Sequence, residues 1–246
     1  MPVHDFQSQR IFVEAALFAG ASVAASDEQF NYLVRVLRLR AGDDILVFNG
    51  CDGEWRARLA EVGKRSCSLA IGPQTRPQVP GPDINYLFAP LKRTRLDYMV
   101  QKAVEMGVRR LTPVLTARTT AERVNGERMK ANAIEAAEQC GILHLPDIDE
   151  AAKLTHVLAG WDPARFLILC DEAAEVADPA AVLRPLRGAP VAVLIGPEGG
   201  FSSDERRLLL SQPFVRAISL GPRIMRADTA AVAALALVNA TIGDWC

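Results

Sequence analysis

The sequence predicts a two-domain α/β protein: a small β-rich barrel over residues 1–72, then a parallel βα domain over residues 84–246. Short strand-forming runs separated by turn residues crowd the first part. Residues 73–83, with Pro73, Pro77, Pro80, Pro82 and Gly81, mark the sharpest change of composition and read as a linker. Beyond it, all-apolar strands alternate with helical patterns, which is the signature of a sheet covered on both faces.

In the first part, Arg10–Glu14 forms a strand. Ser26 caps a short helix that turns Phe30, Leu33 and Val34 inward, with Arg35, Arg38 and Arg40 beside it. Asp44–Phe48 is a strand, and Asp52-Gly53 turns the chain into the strand EWRARLAEV. Ser66–Ile71 supplies another.

In the second part, Ile84–Ala89 is a strand and Thr94–Met106 a helix with Leu96, Met99, Val100, Ala103 and Val104 on its apolar side. Leu111–Leu115 is a strand whose Pro113 favours an edge or an irregular end. Glu127–Cys140 and Glu150–Leu158 are helical. Phe166–Cys170, Val191–Ile195 and Val215–Leu220 are strands, and the alanine-rich Ala227–Ile242 is a closely packed last helix.

The most informative stretch is VAVLIGPEGGFSSDE, Val191–Glu205. It reads as a buried strand, a glycine loop at its carboxyl end and a helix capped by Ser202 or Ser203. In a parallel sheet that loop lies where ligands are held, beside Cys170-Asp171-Glu172 and Leu220–Arg226 at two other strand ends. Adjacent glycines leave main-chain amides uncovered, and Leu220, Ile224 and Met225 offer apolar walls.

Composition narrows the chemistry. Lys and Arg total 28 against 29 Asp and Glu, so any contact with nucleic acid must use local patches. One such patch runs from Lys92 to Lys130 and includes Arg93, Arg95, Lys102, Arg109, Arg110, Arg118, Arg123 and Arg128. The cysteines and histidines are scattered without metal-ligand spacing, pointing to a reducing compartment and no metal. No secretory signal or spanning stretch is present, so a cytoplasmic location is expected. A serine nucleophile elbow, a P-loop and an early dinucleotide glycine fingerprint are all missing.

LIGPEGGFSSDE, LGPRIMRADTAAVAAL and RVLRLRAGD occur with KRTRLDYMVQKAVEMGVRRLTPVLTART and EQCG. Together they resemble the bacterial 16S ribosomal RNA uridine N3-methyltransferase family (RsmE) of the SPOUT superfamily. The resemblance implies a PUA-like N-terminal barrel for RNA, a C-terminal α/β domain with a deep trefoil knot, and a homodimer aided by the last helix. It implies S-adenosylmethionine as cofactor, held by Leu194, Gly196, Glu198, Gly199 and Gly200 on one side. Leu220, Gly221, Pro222, Ile224, Met225 and Arg226 hold it on the other.

The implied acceptor is N3 of a uridine in the decoding region of 16S rRNA within a 30S particle. Arg226 is the candidate for electrostatic stabilisation or uridine orientation, and Glu198 and Asp228 are candidates for hydrogen bonding or proton handling. Arg35, Arg38, Lys92, Arg93 and Arg95 are the candidate RNA contacts. Three positions depart from the family pattern: Ile142 stands where Arg is common, Asp228 where Glu is usual, and Tyr32 where His is frequent. The rival functions are methylation of another RNA nucleoside and a noncatalytic role in ribosome assembly.

Overall fold

The computed structural model describes residue 5 and residues 7–120, 124–174 and 178–246. Arg123 of the basic patch lies outside the described residues. The chain divides into two compact units, Met1–Pro80 with Ala137–Leu145, and Gly81–Ala136 with Pro146–Cys246.

The first unit contains β1 (Arg10–Phe12), β2 (Ser22–Ala24), α1 (Asp27–Phe30), β3 (Asp44–Phe48), β4 (Glu54–Val62) and β5 (Cys67–Arg76). They form a five-stranded sheet in the order β1-β3-β4-β5-β2, in which only β1 and β3 run parallel. Alternation along β4 sends Ala57 and Leu59 into the core and leaves Arg58 and Ala60 outside. Ser26 accepts from the Gln29 amide, and Gln29 in turn accepts from the Ser26 amide, closing a capping box. The helix then widens into a π turn, Asn31–Val36, in which the Leu37 amide donates to the Tyr32 carbonyl. Arg38 ends it at φ 59°, the left-handed geometry that glycine usually supplies.

A buried ion network organises this unit. Glu54 accepts from Arg10 Nε at 2.6 Å, Arg76 Nη2 at 2.6 Å and Thr75 Oγ1 at 2.8 Å. Burial pushes the Glu54 carboxyl up, and the hydrogen bonds from Arg76, Arg10 and Thr75 more than reverse this, holding it below its usual value. Arg76 Nη1 also donates to the Gly141 carbonyl at 2.9 Å, so the returning segment is fastened to the sheet. Gly141 has φ 68°, and a Cβ there would lie 3.3 Å from the Arg10 guanidinium. The neighbouring Ile142 donates its amide to Ala137. The expected linker at 73–83 begins later than its composition implies, because the anchoring of Arg76 on Glu54 carries β5 through Pro73 to Arg76.

The second unit runs β6 (Ile84–Phe88), α2 (Arg93–Glu105), β7 (Arg110–Leu115), α3 (Gly126–Cys140, its last turn in the first unit), β8 (Asp147–Ile148), β9 (Ala152–Lys153) and α4 (Leu154–Ala159). It continues with β10 (Phe166–Cys170), α5 (Pro179–Leu183), β11 (Val191–Ile195), α6 (Ser203–Leu210), β12 (Val215–Ile218) and α7 (Ala227–Ile242). The parallel sheet is ordered β12-β10-β11-β6-β7-β8, with β9 also on β7.

Both faces are covered, which explains the unbroken apolar runs. Leu87, Leu167, Leu169, Ala192 and Leu194 pack with Leu154 of α4 and Leu209 of α6. On the other face Tyr86 donates its hydroxyl to Met99 Sδ of α2 at 3.1 Å, and α7 packs on α2, α5 and β11. Burial drives the Tyr86 phenol well above its usual pKa.

Three elements differ from the sequence-based expectation. Strand β7 is not an edge: β8 pairs with Arg110 and Leu111, and β9 with Val114 and Leu115. Pro113 falls in the break between those short strands, where no ladder partner is needed. The helix expected from Glu150 starts at Leu154, because Ala152 and Lys153 are extended along β7. Strand β12 stops at Ile218, which frees Ser219 and Leu220 to leave the sheet.

Candidate active site

The carboxyl ends of β10, β11 and β12 surround one cleft of ≈ 480 Å³. Its floor is Cys170 and Ile195. One wall is the glycine loop after β11, and the other is the Leu220–Arg226 segment with Ala227 and Ala230 of α7. Such a volume falls within the ~300–1,000 Å³ of small-molecule sites.

Local sequence shapes the glycine loop. A Cβ on Gly196 would lie 2.7 Å from the Phe201 ring, so glycine is required for that ring to fold back. Phe201 itself packs on the apolar cluster beneath the sheet. Gly200 has φ 68° and donates its amide to the Pro197 carbonyl at 2.8 Å, closing a tight turn. Ser202, rather than Ser203, caps α6 in a capping box with Glu205.

A second loop braces the first. Glu205 accepts the Ser202 amide at 2.9 Å with one oxygen and the Ala117 amide at 2.7 Å with the other. Arg118 Nη1 donates to the Gly199 carbonyl at 2.6 Å. The glycine loop is thus held in shape from the segment following β7.

Of the expected cofactor contacts, Gly196, Glu198, Gly200, Leu220, Gly221, Ile224, Met225 and Arg226 line the cleft. Leu194 does not: it is fully buried in the core below. Gly199 turns toward Arg118, and Pro222 is also off the wall. Gly221, at φ 103°, has open space where a side chain would stand. Ile224 is 91% exposed.

Arg226 is exposed at the head of α7. Glu198 lines the cleft and forms an ion pair with Arg95. Asp228 is off the wall, with one oxygen accepting the Thr229 amide at 2.9 Å. The structure thus brings Arg226 and Glu198 to the cleft and sets Asp228 behind it.

Arg206 and Phe201 were not legible as site residues. Arg206 Nε donates to the buried Asp171 at 2.9 Å and closes the β10 end of the cleft. Cys170 lies on the floor, and burial pushes its thiol up to about 12, so it stays protonated and serves as an apolar surface rather than a nucleophile.

Among the candidate RNA contacts, the Arg35 guanidinium lies 5.6 Å from the Phe30 ring centroid, and Arg35 and Arg38 are both exposed. Lys92, Arg93 and Arg95 line a second cavity of ≈ 370 Å³. Tyr32 is exposed, and its carbonyl closes the π turn. Among the described residues there is no metal-binding cluster of His, Cys, Asp and Glu, and no helix is long and apolar enough to cross a membrane.

A parallel sheet with an open cleft walled by glycine loops is joined to a five-stranded, mostly antiparallel unit, and family matches to the two parts define the class as an RNA methyltransferase with a PUA domain. The family profile described as RNA methyltransferase domain matches residues 79–239, and that described as RNA methyltransferase PUA domain matches residues 25–72. The chain is 31% identical to ribosomal RNA small subunit methyltransferase E of Rickettsia conorii, over 96% of this chain and 97% of the relative. It is 32% identical to the protein of that name from Synechocystis, over 95% and 78%. A putative methyltransferase, Lpg2936, from Legionella pneumophila, solved with bound cofactor SAM, superposes with a TM-score of 0.82 at 28% identity, covering 95% of this chain and 98% of that one. The chain belongs to the ribosomal RNA small subunit methyltransferase E family.

Proposed function

We propose that this protein methylates N3 of a uridine in the decoding region of 16S ribosomal RNA, using S-adenosylmethionine and acting as a cytoplasmic homodimer on the 30S particle. The C-terminal unit would be a SPOUT domain whose cofactor loops form a deep trefoil knot, with α7 at the dimer interface. The observation that carries the proposal is the cleft at three parallel strand ends, with glycine backbone open at Gly200 and Gly221 and apolar side chains at Leu220, Ile224 and Met225. That mixture suits a nucleoside with an amino-acid tail: amides and carbonyls meet polar edges while aliphatic side chains cover the ring. The relatives' activity on small-subunit RNA supports the acceptor class.

S-adenosylmethionine, when bound, supplies an electrophilic methyl group. Uridine N3 carries a proton and is a poor nucleophile until that proton leaves. The Arg226 guanidinium, at the cleft wall, orients the base and offsets the negative charge that develops on N3 and its flanking carbonyl oxygens. Of the two candidate carboxylates, Glu198 is better supported for contact with the N3 proton, because it lines the cleft and Asp228 does not. Arg35 and Arg38 on the first unit, and Lys92 and Arg93 on the second, hold the RNA backbone, while Arg95 is engaged by Glu198.

The test is incubation of the purified protein with methyl-labelled S-adenosylmethionine and unmodified 30S particles, followed by nuclease digestion and mass spectrometry. Label at N3 of one uridine is the expected result. Label on another base or on a ribose hydroxyl would refute the assigned acceptor, and absence of label with intact cofactor and particle binding would refute methyl transfer.

A further inference from the structure

The second cavity lies between the Pro90–Arg95 segment and the Pro197-Glu198 turn, beyond the carboxyl ends of β6 and β11. Those strands are neighbours, yet the chain leaves β6 toward β7 and leaves β11 toward β12, beyond β10. Adjacent strands with diverging connections make a topological switch point, the position at which open parallel sheets hold ligands. Pro197 and Glu198 line both cavities, so an occupant of the second abuts the cofactor cleft.

The lining identifies the chemical class of that occupant. Among the described lining residues, Lys92, Arg93 and Arg95 oppose one carboxylate, Glu198, which Arg95 already pairs. Lys92 and Arg93 form no ion pair among the described residues, so the described lining is net cationic. Among the described residues no aromatic side chain lines it, so the described lining offers no platform for stacking a base. Its volume admits a sugar-phosphate unit rather than a folded partner.

We infer that this cavity seats a phosphodiester of the RNA strand next to the acceptor nucleotide, with Lys92 and Arg93 as its contacts. The acceptor base then crosses the Pro197-Glu198 rim into the cleft. Arg95 is a positioning residue, holding Glu198 at the boundary between the two cavities. This assignment rests on the RNA methyl transfer proposed above and adds where the strand enters and what holds it.

The test measures binding of fluorescein-labelled hexauridylate by anisotropy across a salt series, with S-adenosylmethionine saturating. Replacing Lys92 and Arg93 together by Ala should raise the dissociation constant at least about tenfold. It should also flatten the log–log salt slope by about 0.7, the contribution of one neutralised single-strand phosphate. Calorimetric affinity for S-adenosylmethionine should stay unchanged, which also shows that the variant is folded. Lys153→Ala, which removes an exposed charge of the same unit outside the cavity, should leave both quantities unchanged.

An unaltered slope, failure of the wild type to bind the oligonucleotide, or an equal loss in Lys153→Ala would overturn the assignment. Inorganic phosphate that binds the wild type and not the double variant, with oligonucleotide binding unaltered in both, would mark a free-phosphate site and also overturn it. Methyl transfer to 30S particles, measured on the same wild-type preparation, reports separately on the proposed reaction.

Discussion

The Phe201 ring stands 2.7 Å from the position a Cβ would take on Gly196, so the entry to the glycine loop is closed by an aromatic side chain packed against bare backbone. Gly196→Ala must therefore displace Phe201 from the apolar cluster that anchors it. Overpacking of this kind costs about 1–3 kcal/mol. The expected outcome is a lower melting temperature together with at least a fivefold loss of S-adenosylmethionine affinity by calorimetry. Wild-type values for both would remove Phe201 from any role in shaping the loop.

Glu54 is the shared acceptor of Arg10 and Arg76 in a buried network. Removing its charge takes away the counter-charge that the two guanidinium groups share, and Glu54→Gln should destabilise the fold by about 3–5 kcal/mol in denaturant titrations.

The same carboxyl makes stability depend on pH. Its folded pKa lies below the ordinary 4.5, so it contributes fully above that value and its contribution is lost as pH falls through the folded pKa. Wild type should therefore lose stability steeply below pH 4.5, and Glu54→Gln should show a shallower decline over the same interval. Parallel curves for the two proteins would exclude Glu54 as the source.

Arg226 reaches the cleft from the head of α7 without capping that helix through its side chain. Its removal should spare folding. Loss of a group that stabilises developing charge typically costs 10²–10³-fold, so Arg226→Ala should lower the single-turnover rate by about that factor. Unchanged turnover would move Arg226 from the catalytic group to the structural frame.

Arg38 occupies left-handed backbone at the end of the π turn, a conformation costing a non-glycine residue about 1–3 kcal/mol. Arg38→Gly should relieve that strain and raise the midpoint of chemical unfolding, while weakening binding to 30S particles through loss of an exposed cation. Stability gained with no change in RNA affinity would show that the strained arginine has no part in recognition.

Much of the architecture was legible because it is written in local pattern. The period of 3.6 in α2, the unbroken apolar runs of β10 and β11, and the Ser202–Glu205 cap each follow from neighbouring residues alone. The adjacent Gly199 and Gly200 likewise read as a ligand loop, since glycine leaves main-chain amides uncovered; Gly200 lines the cleft, whereas Gly196 is glycine because the Phe201 ring packs on it. Resemblance extended this to the cofactor and the acceptor, which no periodicity contains.

Long-range pairing decided the remainder. Pro113 argued locally for an edge strand, yet β8 and β9, contributed by residues more than thirty positions later, flank it on both sides of a break. Leu194 belongs to the same motif as Gly196, but alternation along β11 turns it into the core and away from the cleft. The bracing of Gly199 by Arg118, the closure of the cleft by Arg206 on Asp171, and the retreat of Asp228 from the wall join segments 35 to 81 residues apart or depend on how α7 is set. The sequence by itself determined which segments become strands, helices and loops, because those choices rest on neighbours along the chain. Only the tertiary structure decided which side chains meet at the strand ends, because that depends on strand order and on the face each residue presents.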